Sequence, residues 1–128
     1  SYNNTIELGE NGDNLLQKIM KMYTDPNKIR ANDRGNPDGC VVFAFHKIYN
    51  PEYVLREKEC RSGSIGCVTC KKHLFEMMNP KMKEIEEKRQ SYLSKKDYIV
   101  EILNEGNKKA MEKASKKIEE VYKAVGLL

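Results

Sequence analysis

The stretch Val41-Val42-Phe43-Ala44-Phe45-His46-Lys47-Ile48-Tyr49 decides the fold class. Its first five residues have strand composition. Yet Val41, Val42, Phe45, Ile48 and Tyr49 recur at helical spacing, and Asn36-Pro37 upstream is a helix-start signal. Periodicity alone cannot assign so short an apolar run. A strand needs a partner, and no second stretch of the chain carries a strand pattern. The segment is therefore read as a helix and the chain as all-α: a helical bundle behind an extended N-terminal lead-in.

Helix signals continue on both sides. All four prolines follow Asn or Asp, at Asp25-Pro26, Asn36-Pro37, Asn50-Pro51 and Asn79-Pro80. Such a side chain can accept from the free N–H groups of a first turn, where proline loses nothing by lacking its own. Asp13 precedes a stripe of Leu15, Leu16, Ile19, Met20 and Tyr23. Asn50-Pro51 is expected to open a helix through Glu59. Asn79-Pro80 is expected to open another, with Met82, Ile85, Tyr92 and Leu93 inward. Ser94 and Asp97 resemble a capping box before Tyr98, Ile99, Ile102 and Leu103. Gly106 is expected to interrupt, and a last helix carries Met111, Ala114, Ile118, Val121, Tyr122 and Val125, with Gly126 at its end. Residues 25–39 and 60–67 read as the main loops and residues 1–12 as the lead-in.

Composition excludes several classes. The chain has 128 residues, about one ordinary domain, and is 39% hydrophobic and 33% charged. Its longest apolar run is Cys40–Phe45, far short of the roughly 20 residues a membrane helix needs. Residues 1–70 carry 9 basic and 9 acidic side chains, whereas residues 71–128 carry 14 and 10. This is a mild basic bias and not a basic stripe, and Lys and Glu alternating on helices commonly form a solvated face. The chain begins at Ser1 without Met and has no stretch resembling a signal peptide. A piece of a longer cytoplasmic protein with reduced thiols is therefore expected.

The cysteines carry the most specific chemistry. Cys40, Cys60, Cys67 and Cys70 are spaced C-x19-C-x6-C-x2-C, with no fifth cysteine. A C-x2-C pair puts two sulfurs within one turn. The segment Arg61-Ser62-Gly63-Ser64-Ile65-Gly66 is small enough to wrap a bulky centre. Four thiolates suit zinc or a [4Fe–4S] cluster. Structural zinc usually takes two short-spaced pairs, so the x6 gap favours the cluster. Arg61, Lys71 and Lys72 are expected to offset its charge. Buried unligated cysteines or a disulfide are the plainer alternatives. His46 reads as a satisfied, partly buried histidine and His73 as a surface one. No catalytic triad, P-loop or G-x-G-x-x-G is present.

Several blocks then share a resemblance. These are Thr24-Asp25-Pro26-Asn27-Lys28-Ile29-Arg30, Gly35-Asn36-Pro37, Val42-Phe43-Ala44-Phe45-His46-Lys47, Cys60 to Cys67 with Cys70-Lys71-Lys72, Glu105-Gly106-Asn107-Lys108-Lys109-Ala110 and Ala124-Val125-Gly126-Leu127. Together they resemble the C-terminal part of bacterial tryptophanyl-tRNA synthetases, which are class I enzymes. The resemblance implies a Rossmann catalytic domain followed by a helical anticodon-binding domain. The family's K-M-S-K-S signature is commonly followed by Tyr-Asn-Asn, so Ser1 before Tyr2-Asn3-Asn4 matches its last residue. Residues 1–12 then correspond to the end of the catalytic domain and residues 13–128 to the anticodon-binding domain. The signature's lysines, the H-I-G-H motif and the tryptophan pocket are missing. The parent is implied to be a tryptophan–tRNA ligase that uses ATP, and this piece is expected to be inactive alone. Some bacterial members bind a [4Fe–4S] cluster through cysteines ending in x6 then x2, with a first gap somewhat longer than x19.

The resemblance also implies a partner, the anticodon stem-loop of tRNA, and a homodimeric parent. Single-stranded bases are read by stacking and edge hydrogen bonds while basic groups hold phosphate. Arg30, Arg34, Arg61, Lys71 and Lys72 are the candidates for those contacts. Two other classes compete: an iron–sulfur helical domain like that of some DNA-repair glycosylases, and a zinc-stabilised interaction domain. The first also needs a glycine-containing helix-hairpin-helix turn and a catalytic Lys or Asp, and no such segment is found.

Overall fold

The computed structural model describes residues 5–127. In order, α1 spans Gly12–Lys21, α2 Val41–Tyr49, α3 Tyr53–Ser62, α4 Cys67–Leu93 and α5 Lys96–Ala124. No strand occurs among the described residues. The chain falls into two compact units, one ending at Lys88 and one beginning at Arg89. Ser1 and Tyr2-Asn3-Asn4, matched to the end of the synthetase signature, lie outside the described residues.

In the first unit, Leu15 and Ile19 of α1, Val42 of α2, and Leu74, Met78 and Met82 of α4 form the buried core. The ambiguous stretch is a helix, as expected. Its inward face is rotated from the expected stripe: Val42, Phe43 and His46 are buried, while Val41 and Ile48 are exposed. Phe43 turns inward and forms part of a cavity wall.

Two proline signals are displaced. Asn36-Pro37 precedes a turn in which Cys40 N–H donates to Pro37 O (3.0 Å), and α2 begins only at Val41. At Asn50-Pro51, Asn50 Oδ1 accepts from Glu52 N–H (2.9 Å) and α3 begins at Tyr53. That helix runs past Glu59 to Ser62. It closes with Gly63 N–H on Cys60 O (3.2 Å) and Ser64 N–H on Glu59 O (3.0 Å), a left-handed glycine ending.

Asn79-Pro80 corrects the sequence expectation outright. It starts no helix, because Pro80 lies inside α4. An interior proline costs a helix about 3 kcal/mol, and the burial of Met78 and Met82 on either side of Pro80 offsets that cost. The Asn79 side chain does cap a helix, but a different one: its Oδ1 accepts from Gly12 N–H at 2.8 Å, at the start of α1. Asn11, next to that start, makes no side-chain cap.

In the second unit α5 runs unbroken through Gly106, contrary to the expected interruption. Nothing lies within 4 Å of where a Cβ on Gly106 would be, so the position is open helix surface. The expected Ser94–Asp97 box does not form. Ser94 Oγ donates back to Ser91 O (3.0 Å), and α5 begins at Lys96 without a side-chain cap. The C-terminal expectation holds: Gly126 has φ +75°, and Leu127 N–H donates to Tyr122 O (2.8 Å). Tyr98, Ile102, Met111, Ile118, Val121 and Val125 are exposed and not inward, as are Tyr92 and Leu93 at the end of α4.

Candidate functional site

Three separate pieces of backbone in the first unit bring the cysteines together. Cys40 immediately precedes α2, Cys60 lies in the last turn of α3, and Cys67 and Cys70 occupy the first turn of α4. All four are free thiols. All four line one cavity, together with Asp25, Lys28, Phe43, Arg56 and Ile65. Cys40 and Cys70 also pack against the hydrophobic core, so one side of the cavity is anchored to it. Among the described residues, no three Cys, His, Asp or Glu side chains form a ready-made ligand set for a metal ion.

A close seam runs beside the cavity. The loop between α1 and α2 meets the end of α3 and the start of α4 at glycines. Gly35 N–H donates to Cys60 O (2.9 Å), and a Cβ on Gly35 would stand 2.7 Å from Cys60 Sγ. Gly63 has φ +78°, and a Cβ there would stand 2.4 Å from Asn32 O. A side chain on Gly35 would displace Cys60 and Lys28 of the cavity wall, and one on Gly63 would displace the loop backbone at Asn32.

Burial governs the electrostatics. It pushes the Cys70 thiol up to about 12, with Cys40 and Cys60 adding to the rise and Arg56 opposing it. Cys60 is raised as well, first by burial and then by neighbouring Cys40. Such thiols stay protonated near neutral pH on their own. A cationic centre bound among them would favour the thiolate instead. The donor set therefore fits a four-thiolate group in chemistry: four free, partly buried thiols around one cavity.

The cations beside the cavity are not those expected. Arg61 is tied up on the surface, its Nη2 donating to Asp38 Oδ2 (3.0 Å) and Glu57 Oε1 (2.9 Å). Lys71 reaches the other way, and its Nζ donates to Met20 O (2.8 Å). Lys72 is exposed. Lys28 and Arg56 line the cavity in their place. Lys28 is only 9% exposed and donates to the carbonyls of Ala31 and Asp33. Arg56 Nη1 donates to His73 Nδ1 (2.7 Å) and lies 2.8 Å from Glu59 Oε2. Neither residue was singled out for this role from the sequence, since a Lys in a loop and an Arg on a helix ordinarily face water.

His46 is fully buried, more so than expected, and burial lowers its pKa. Its Nε2 lies 3.1 Å from Cys70 O and 3.4 Å from Cys70 Sγ. His73 is half-buried and held by Arg56, not free on the surface.

Arg30 and Arg34 are exposed on the loop before α2. The loop is braced by hydrogen bonds of its own around Asp33. Asp33 Oδ2 accepts from Ile29 N–H (3.1 Å) and Arg30 N–H (2.6 Å), and Asp33 N–H donates back to Arg30 O (3.1 Å). The same loop abuts Gly63 through Asn32, which brings Arg30 and Arg34 to the joint where α3 ends after Arg61. Of the five tRNA-contact candidates, these three share one region, while Lys71 is committed to α1.

No family model matches the chain. Curated relatives do, along its whole length. The chain is 38% identical over 130 residues to the tryptophan–tRNA ligase of Aquifex aeolicus, covering 99% of this chain and 33% of that protein. It is 37% identical over 135 residues to that of Thermotoga maritima, covering 100% and 40%. Against that of Borreliella burgdorferi it is 40% identical over 131 residues, covering 99% and 37%. The chain thus spans about a third to two fifths of the length of the relatives it matches. From end to end it is a homologue of a segment of the bacterial tryptophan–tRNA ligases, consistent with their C-terminal part.

Proposed function

We propose that this chain is the anticodon-binding part of a tryptophan–tRNA ligase, held in shape by a [4Fe–4S] cluster on Cys40, Cys60, Cys67 and Cys70. The observation that carries the proposal is the gathering of all four thiols around one buried cavity in a chain similar to those ligases throughout. The cluster's role is structural: it ties the start of α2, the end of α3 and the start of α4 to one point. Lys28 and Arg56 offset the negative charge of four thiolates. The intact ligase attaches tryptophan to its tRNA with ATP in the cytoplasm, as a homodimer. The segment in hand contributes the grip on the anticodon stem-loop and none of the amino-acid activation.

Arg30 and Arg34 are the foremost phosphate or base contacts, being exposed on a rigid loop. Arg61 joins them only by leaving its carboxylate partners. The glycosylase alternative is left without support by similarity to tryptophan–tRNA ligases along the full chain. Zinc on the same four thiols is the remaining alternative for the centre.

Fluorescence anisotropy tests the partner. The expected result is tighter binding to tRNA for tryptophan than to the same tRNA with its anticodon exchanged; equal binding overturns the assignment. Iron, zinc and sulfide analysis of anaerobically purified chain, with its visible spectrum, tests the centre. Four irons and four sulfides per chain are expected, and zinc without sulfide overturns the cluster.

A further inference from the structure

Behind Cys70 stands a short relay of hydrogen bonds whose proton positions follow from the chain's own geometry. It begins at Glu52, whose backbone N–H can only donate. That N–H lies 2.9 Å from the Asn50 side-chain atom assigned as Oδ1, so this atom is the amide oxygen. The other end of the amide is then Nδ2, a donor, and it lies 3.2 Å from His46 Nδ1. His46 Nδ1 must therefore accept, and the ring proton sits on Nε2. Nε2 lies 3.1 Å from Cys70 O and 3.4 Å from Cys70 Sγ. Asn50 is 8% exposed and His46 fully buried, so water does not compete for these groups.

We infer that His46 is a positioning residue for the Cys70 ligand: an N–H donor to its sulfur and carbonyl, held in the required tautomer by Asn50. The inference rests on the cluster reading above and deepens it. Hydrogen bonds to ligand sulfurs withdraw electron density and stabilise the more electron-rich state of a centre, which raises its reduction potential. A histidine serving only to pin α2 to α4 would need the carbonyl bond alone. It would leave the electronics of the centre untouched.

The test uses the cluster-loaded 128-residue chain. His46→Phe keeps the ring volume and removes the donor. At a fixed applied potential near the midpoint, the oxidised-to-reduced ratio is expected to rise about tenfold, equivalent to about 59 mV for one electron. His46→Gln, which returns an N–H donor, is expected to recover most of the shift. An unchanged ratio in a loaded, folded His46→Phe chain overturns the inference while leaving the cluster reading intact. Absence of iron and sulfide from the wild-type chain overturns both. Should His46→Phe fail to fold, nitrogen-15 NMR of wild-type His46 decides: protonated Nε2 with bare Nδ1 supports the relay, and protonated Nδ1 overturns it.

Discussion

The two units of this chain use the same raw materials to different ends. Up to Lys88, apolar side chains from α1, α2 and α4 are removed from water, and buried polar groups find named partners. From Arg89 onward, the described residues form the end of α4 and one long α5, and none of its residues is buried, with Val121 at 43%, Ile118 at 49% and Met111 at 66% exposed. Both units have helical spacing and similar residue types. What separates them is convergence: the first unit closes a core and a cavity, whereas α5 has no buried residue. Surface pairs such as Lys123–Glu119 at 2.6 Å add a few tenths of a kcal/mol at most. Periodicity announces an amphipathic helix but carries no information about what covers it.

The contrast can be broken first at the thiols. Cys67→Ser is expected to abolish loading of the centre and to destabilise the first unit by more than about 4 kcal/mol. Thermal melting with iron analysis checks this, and an unchanged melting curve would refute the structural role of the cluster. Next comes the core. Leu74 is fully buried, so Leu74→Ala should cost about 2–5 kcal/mol in denaturant titration. Ile118→Ala in α5 should cost less than about 1 kcal/mol, the side chain being half in water already. Similar losses at the two sites would mean that α5 is covered after all. Two glycine substitutions, one in each unit, should differ in sign. Gly63→Ala, forced into a left-handed backbone against Asn32 O, should destabilise by about 2–3 kcal/mol. Gly106→Ala meets nothing within 4 Å and should stabilise α5 by about 0.5–1 kcal/mol. Circular dichroism melts of the two variants check the opposition.

The fold class was legible because one negative observation sufficed: a strand at Val41–Phe45 would have had no partner. The convergence of the cysteines was legible too, since a C-x6-C-x2-C run with a fourth thiol upstream suggests a common centre, and all four line one cavity. Boundaries were less legible. The Asn79 signal is a real cap that serves α1 and not its own proline, because capping is a matter of space and the sequence shows only adjacency. Gly106 is a poor helix former, yet its cost of about 1 kcal/mol is small against a helix of 29 residues. The cations were the least legible. Arg61, Lys71 and Lys72 are the cysteines' neighbours in sequence, but Lys28 and Arg56 are their neighbours in the cavity. A side chain's reach depends on the direction of its helix face, which spacing alone does not convey.

The Asn79–Gly12 bond makes the first helix answerable to a residue 67 positions downstream. A nascent chain that has emerged only as far as α3 holds every atom of α1 and still lacks the acceptor for its leading amide. The solvent protection of Gly12 N–H is thus a clock for long-range assembly: it starts when the middle of α4 arrives, however early the turns of α1 have wound.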